Sequence, residues 1–220
     1  MIRAVLFDLD GTLLNREESL KKFISWQCNV LHTHLGHVPK EKFCSRFIEL
    51  DDRGYKWKDF VYKTLIQEFN IKDITEMELL NHYITNFHKY CVPFSNLLSM
   101  LDQLKKLSLS LGMISNGKGQ FQMDNIVSLG IRPYFKTILI SEWEDMKKPD
   151  PRIFEKALRQ LNVNAEEAVY IGDHPINDIT AAKNVGLHTI WKRDIYWPDA
   201  NADYTIDNLD EIPFLLNKIR

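Results

Sequence analysis

Ala4-Val5-Leu6-Phe7-Asp8-Leu9-Asp10-Gly11-Thr12 is the stretch on which the fold of this chain turns. Four apolar residues in succession suit a strand buried on both faces of a parallel sheet, and two acids stand at its exit. Similar short runs recur at Leu109–Ile114, Thr137–Ile140, Ala168–Ile171 and His188–Trp191. Helical spacing separates them. Met123, Ile126 and Val127 lead to Gly130; Asp150-Pro151 reads as an N-cap and first-turn proline ahead of Ile153, Phe154, Ala157, Leu158 and Leu161; a shorter helix from Asp178 to Val185 closes at Gly186. Strand and helix in alternation predict βαβ units, an α/β fold with a Rossmann-like parallel sheet.

One stretch does not alternate. Between Arg16 and Cys91 only helical patterns occur: Leu20, Phe23, Ile24, Leu31 and Leu35 on one face, Phe60, Val61, Leu65 and Phe69 on a second, Leu80, Tyr83, Ile84, Phe87 and Cys91 on a third. Asp51-Asp52-Arg53-Gly54 breaks the middle and Pro93 ends the stretch. The expected organisation is a core of residues 1–15 and 93–220 with an all-helical module, 16–92, inserted after the first strand.

Composition sets the class. In 220 residues, 45% are hydrophobic and 26% charged, as in ordinary globular proteins, and the formal net charge is −2. A protein held to nucleic acid by phosphate neutralisation needs a basic excess, so no nucleic-acid partner is expected. The apolar runs are too short for a membrane span, and no signal-peptide pattern precedes Asp8. Three widely spaced cysteines, Cys28, Cys44 and Cys91, cannot complete a disulfide framework, and read as buried free thiols in a reducing cytoplasm.

Chemistry gathers where strands end. Asp8-Leu9-Asp10-Gly11-Thr12, Ser115-Asn116-Gly117, Lys148-Pro149-Asp150 and Gly172-Asp173 with Asp178 each follow a predicted strand. Ligands of open α/β sheets bind beyond the carboxyl ends of the strands, so these segments are expected to share one crevice. Four carboxylates and one lysine there call for a cation, and oxygen ligands favour Mg²⁺.

The first segment resembles the opening motif of the haloacid dehalogenase superfamily of hydrolases, and the other three resemble its second, third and fourth motifs in order. The helical insertion matches that family's cap. The resemblance implies a phosphatase acting through an aspartyl-phosphate. Asp8 would be the nucleophile, and Asp10 the acid that protonates the leaving oxygen and then the base for water. Ser115, with Asn116 and Gly117, would hold the phosphoryl oxygens, and Lys148 would neutralise Asp8 and the transferring group. Asp8, the Asp10 backbone carbonyl and Asp173 would hold Mg²⁺, with Asp178 a direct or water-mediated ligand.

Asp10 narrows the branch. Dehalogenating and phosphonate-cleaving members lack an acid at this position, so the resemblance implies phosphate esters. Ser115-Asn116-Gly117 followed by Gln122 is similar to members acting on nucleotides or sugar phosphates. Specificity is then expected from the cap, where Asp51, Asp52, Arg53 and Tyr55 form the most polar break, with Arg53 the candidate substrate contact. A phosphosugar mutase of the superfamily is the alternative, though the cap histidine of mutases is absent from Asn15–Ser19; a non-catalytic member with a binding role is another. The implied partner is a small phosphorylated metabolite, for a monomer or homodimer. His32, His34 and His37 lie at a helix end without a carboxylate or cysteine nearby and read as structural. His174 is a secondary candidate for substrate contact, while Trp191, Tyr196 and Trp197 read as packing.

Overall fold

The computed structural model describes residues 1–219. The chain divides into two compact units, Met1–Asn15 with the stretch from Pro93 onward, and Arg16–Val92. In the first unit, β1 (Ala4–Phe7), β2 (Ser110–Ser115), β3 (Thr137–Ile140), β4 (Ala168–Gly172), β5 (His188–Lys192) and β6 (Tyr204–Ile206) form one sheet among the described residues. Its order is β3-β2-β1-β4-β5-β6 and every pairing is parallel. The α/β expectation holds. Strand β6 was not legible, because Tyr204-Thr205-Ile206 is three residues long in a polar stretch.

β1 lies at the centre, and the strand order reverses beside it. Register pairs Phe7 with Met113 on one side and Ile171 on the other, so Asp8, Ser115 and Asp173 emerge together at the same end. The helix Pro151–Leu161 covers one face, started by the Asp150 carboxylate accepting from the Arg152 N–H. Its apolar stripe, Ile153, Phe154, Ala157, Leu158 and Leu161, packs with Leu6, Ile114 and Tyr170. Phe154 meets the Tyr170 ring edge-on at 5.1 Å. The predicted helix from Asp178 begins earlier and differently, as a π-helical turn Pro175–Thr180 running into a short helix, Ala181–Val185.

The second unit consists of helices Arg16–Val30, Lys40–Asp51, Lys58–Glu68 and Glu76–Asn86 with shorter turns between them. Phe23, Phe43, Phe47, Tyr62, Leu65, Tyr83 and Phe87 are buried within it. The Tyr62 hydroxyl donates to Gln27 Oε1 at 2.8 Å, satisfying a buried pair. Two residues assigned to apolar faces, Phe60 and Ile84, are exposed instead. Each stands one position from a buried residue of the inner stripe, Val61 and Tyr83, and so falls on the flank of its helix. Only Cys28 of the three cysteines is buried, and its thiol hydrogen-bonds with that of Cys44. His37 Nε2 donates to the Phe69 carbonyl at 3.0 Å, a local tie between segments. No helix among the described residues is long and apolar enough to cross a membrane.

Asp51 corrects the reading of the polar break. It ends the helix Lys40–Asp51 and is buried, taking a two-pronged hydrogen bond from Arg16 at 2.8 and 2.9 Å and an ion pair from Lys58. Burial works against its charge, but Arg16 and Lys58 outweigh burial and hold the carboxyl below its usual range. Asp51 therefore braces the unit, and the turn Asp52–Gly54 beyond it carries the outward polar groups. Asp51→Ala leaves the buried Lys58 ammonium without its counter-charge. It is expected to cost about 3–5 kcal/mol in urea denaturation. A loss below about 1 kcal/mol would show the network to be no stronger than a surface pair.

Candidate active site

The turn after β1 is wound around one carbonyl. Leu13 and Leu14 both donate to the Leu9 oxygen at 2.9 Å, and the Gly11 N–H donates to the Leu14 oxygen at 2.9 Å. This tight winding carries Asp8 and Asp10 out of the strand on different courses. Gly11 sits at φ +84°, and a Cβ there would run into the Asp173 carboxylate. Only glycine allows both the backbone angle and the approach of the β4 exit. At Gly172 only the close approach applies: the Asp178 Cβ and Cγ would lie 2.5 Å from an added side chain.

Four charged side chains converge there. Lys148 Nζ donates to Asp8 Oδ1 at 2.6 Å, to Asp178 Oδ1 at 2.6 Å and to the Tyr170 hydroxyl at 2.9 Å, so its three hydrogens each have a partner. Asp178 is held further by the His174 N–H on Oδ2 at 3.0 Å. Asp8 accepts from the Thr12 hydroxyl at 3.4 Å. The Trp191 indole N–H donates to the Asp173 carbonyl at 2.7 Å, fixing the backbone that carries this third acid. Lys148 is 3% exposed, and Asp8, Asp173 and Asp178 are all below a tenth.

Three buried carboxylates against one ammonium leave the cluster short of positive charge. Burial, partly offset by Lys148 and reinforced by Asp178, pushes the Asp8 carboxyl up to about 7. Burial and the repulsion of Asp8 and Asp178 raise Asp173 well above the carboxylate range. Lys148 is opposed by burial, yet Asp178 and Asp8 keep it firmly protonated. One oxygen from each of Asp8, Asp173 and Asp178 lies within 4.8 Å of the others. An all-oxygen donor set with excess negative charge fits a hard divalent cation, and such an ion would relieve the mutual repulsion.

The Asp10 carboxylate adds its repulsion to Asp8 but takes its hydrogen bond from a different partner. Its Oδ2 accepts from Gln122 Nε2 at 2.5 Å, and the same amide nitrogen reaches the Ser115 hydroxyl at 2.9 Å. The structure thus joins Asp8, Lys148, Asp173 and Asp178 in one group and Asp10 and Ser115 in another. Further hydrogen bonds occupy the neighbouring loop residues. The Asn116 side chain clamps the Lys148 backbone, donating to its carbonyl and accepting from its N–H, each at 2.9 Å. The Gly117 N–H donates to the Ser141 hydroxyl at 2.9 Å. The Asn116 side chain and the Gly117 N–H are thus each taken up by a partner outside their own turn. His174 Nδ1 accepts from the Ile176 and Asn177 N–H groups at 3.1 Å and caps its own turn. Arg53 belongs to the helical unit, in a left-handed turn at φ 56°.

Tyr170, Gln122 and Trp191 escaped assignment to the site. Tyr170 lies inside an apolar strand and reads as core; Gln122 was noted only for its spacing after Ser115. A polar tip on a core-facing aromatic is the one signal that marks Tyr170, since a buried hydroxyl needs a partner.

Comparison with known proteins follows the geometry. The family described as haloacid dehalogenase-like hydrolases matches residues 5–192, from β1 through the end of β5. The chain is 32% identical over 198 residues to the glyceraldehyde 3-phosphate phosphatase of Pyrococcus abyssi, covering 87% of this chain and 81% of the relative. It is 29% identical to the enzyme of that name from Methanocaldococcus jannaschii, across 100% of this chain and 99% of the other. Among solved structures, a HAD phosphatase from Thermococcus onnurineus superposes with a TM-score of 0.69 at 27% identity, over 98% of each chain. The chain belongs to the haloacid dehalogenase superfamily of hydrolases and is a phosphatase within it.

Proposed function

We propose that this enzyme is a Mg²⁺-dependent phosphomonoesterase for a small phosphorylated metabolite, a sugar phosphate foremost, working through an aspartyl-phosphate on Asp8. One observation carries the reading: the two acids of the β1 exit have opposite surroundings. Asp8 is bound to Lys148 inside the acidic cluster, whereas Asp10 is hydrogen-bonded to a neutral amide. Two carboxylates in unlike environments suit a nucleophile and a proton-transfer group. The relatives named for glyceraldehyde 3-phosphate favour sugar phosphates over nucleotides.

In this reading Asp8 Oδ attacks phosphorus while Asp10 gives a proton to the departing oxygen. Asp10 then takes a proton from the water that opens the acyl phosphate. The Ser115 hydroxyl holds the phosphoryl oxygens, while the Lys148 ammonium, its hydrogens already placed, neutralises the charge of Asp8 and of the transferring group. Asp8, Asp173, Asp178 and the Asp10 carbonyl would hold Mg²⁺, which supplies charge neutralisation for the phosphoryl group. Tyr170 and the Asn116 side chain act on Lys148, from its ammonium and its backbone respectively. The free thiols accord with a reducing cytoplasm.

The helical unit serves as the cap that selects the organic part of the substrate, with Arg53 its anionic or carbonyl contact. The test is phosphate release from glyceraldehyde 3-phosphate, other sugar phosphates and nucleoside monophosphates, for the native enzyme and Arg53→Ala. The native enzyme is expected to prefer a sugar phosphate. Arg53→Ala is expected to lower kcat/KM for the preferred substrate by about 1–3 kcal/mol and to leave a small aryl phosphate nearly untouched. Equal losses on both would assign Arg53 to folding of its unit, and preference for nucleotides would overturn the substrate class.

A further inference from the structure

Gln122 lies on the helix Gly119–Ser128 and is 3% exposed. Its Nε2 faces Asp10 Oδ2 at 2.5 Å, Ser115 Oγ at 2.9 Å and the Asn116 carbonyl at 3.4 Å, while its Oε1 accepts from Asn125 Nδ2 at 3.1 Å. Carboxylate and carbonyl oxygens only accept, so the opposite amide orientation would set oxygen against two oxygens. The orientation is therefore fixed by chemistry. An amide nitrogen carries two hydrogens, and its two shortest contacts, to Asp10 and Ser115, use both.

Two consequences follow for the neighbours. Ser115 Oγ acts as acceptor toward Gln122, so its single hydrogen is directed elsewhere. Asp10 Oδ2 is tied down, so Oδ1 is the oxygen that remains to exchange a proton with a ligand. We propose that Gln122 is a positioning residue that settles the hydrogen-bonding sense of both partners. It makes Oδ1 of Asp10 the proton-carrying atom and turns the Ser115 hydroxyl hydrogen toward the phosphoryl oxygens. The inference rests on Asp10 as the acid of the proposed reaction. In that step the Asp8–phosphorus bond forms and the phosphorus–oxygen ester bond breaks. The proton on Asp10 Oδ1 passes to the departing oxygen, and the resulting carboxylate keeps the Gln122 N–H on Oδ2.

Leaving groups separate this role from simple packing. An alkyl oxygen departs poorly without a proton, whereas a dinitrophenolate departs as a stable anion. Gln122→Met keeps the volume and removes the donors. Its kcat/KM on glyceraldehyde 3-phosphate, which reports leaving-group departure and not the later hydrolysis of the acyl phosphate shared by both substrates, is expected to fall about 10–100-fold further than its kcat/KM on 2,4-dinitrophenyl phosphate, the range for a misplaced acid. Asp10→Asn should show the same selectivity. Adding Gln122→Met to Asp10→Asn should then change the ratio of the two rates by less than about twofold. The ratio comes from one preparation, so a partly unfolded variant does not distort it. Equal losses on the two substrates in Gln122→Met, with selective loss in Asp10→Asn, would overturn the inference and leave the acid assignment standing. Full additivity in the double variant would overturn it as well. Equal losses in Asp10→Asn itself would overturn the acid assignment and this inference together.

Discussion

Asp8→Asn is expected to abolish phosphate release, by at least ~10³-fold in kcat, without loss of folded stability. An amide cannot form the acyl phosphate, and a thousandfold change corresponds to about 4 kcal/mol of barrier. Stability should hold because the native carboxyl is raised to about 7, mainly by burial. A carboxyl raised on folding weakens the metal-free protein as pH climbs from its unfolded value toward 7, and the effect is complete above that. The amide removes that charge, so in metal-free protein at pH 8 the variant should melt no lower than the parent. Retention of a tenth of kcat, only ~1.4 kcal/mol, would rule out covalent chemistry at Asp8.

Metal removal should be equally decisive. EDTA is expected to bring turnover to background and Mg²⁺ to restore it, with Ca²⁺ restoring it poorly because its looser coordination misplaces the nucleophile. A second readout needs no substrate. Mg²⁺ binding to the folded state should raise Tm, and more so at pH 8 than at pH 5, where Asp8 holds a proton that the cation must displace. Full activity in stripped enzyme, or a Tm that ignores Mg²⁺ at both pH values, would remove the cation from the mechanism.

Much of the core was readable because β1 to β4 are mainly apolar runs with polar residues at their exits. Periodicity locates Ala4–Phe7 and Ala168–Ile171, and their register brings Asp8 and Asp173 together. What escaped was any polar function lodged inside an apolar pattern. Tyr170 sits within β4 beside Val169 and Ile171, and its hydroxyl reaches Lys148 only through tertiary folding. Asn116 looked like a turn residue facing the ligand, yet its partner lies on a loop 32 positions away. Asp51 misled for the converse reason. Grouped with Asp52, Arg53 and Tyr55 in the polar break, it reads as a substrate-facing acid until Arg16 and Lys58 close on it from other helices. Short β6 and the outward turn of Phe60 are decided by packing alone.

The strand that leads into Asp8 is the first of the sheet to leave the ribosome, and it gains its second neighbour only when β4 has been made. Ala4 pairs with Ser110 on one edge and with Ala168 on the other, so more than a hundred residues separate β1 from either neighbour. The helices of Arg16–Val92 form a compact unit of their own and are all synthesised before β2 exists. Synthesis therefore presents a formed helical bundle attached to a bare, wholly apolar tetrapeptide with two open edges. Long-range parallel pairing is slow, and unpaired edges invite association. A nascent chain halted before Ala168 would carry Asp8 at the end of an edge strand, and that truncated intermediate is where chaperone dependence and aggregation of this enzyme should concentrate.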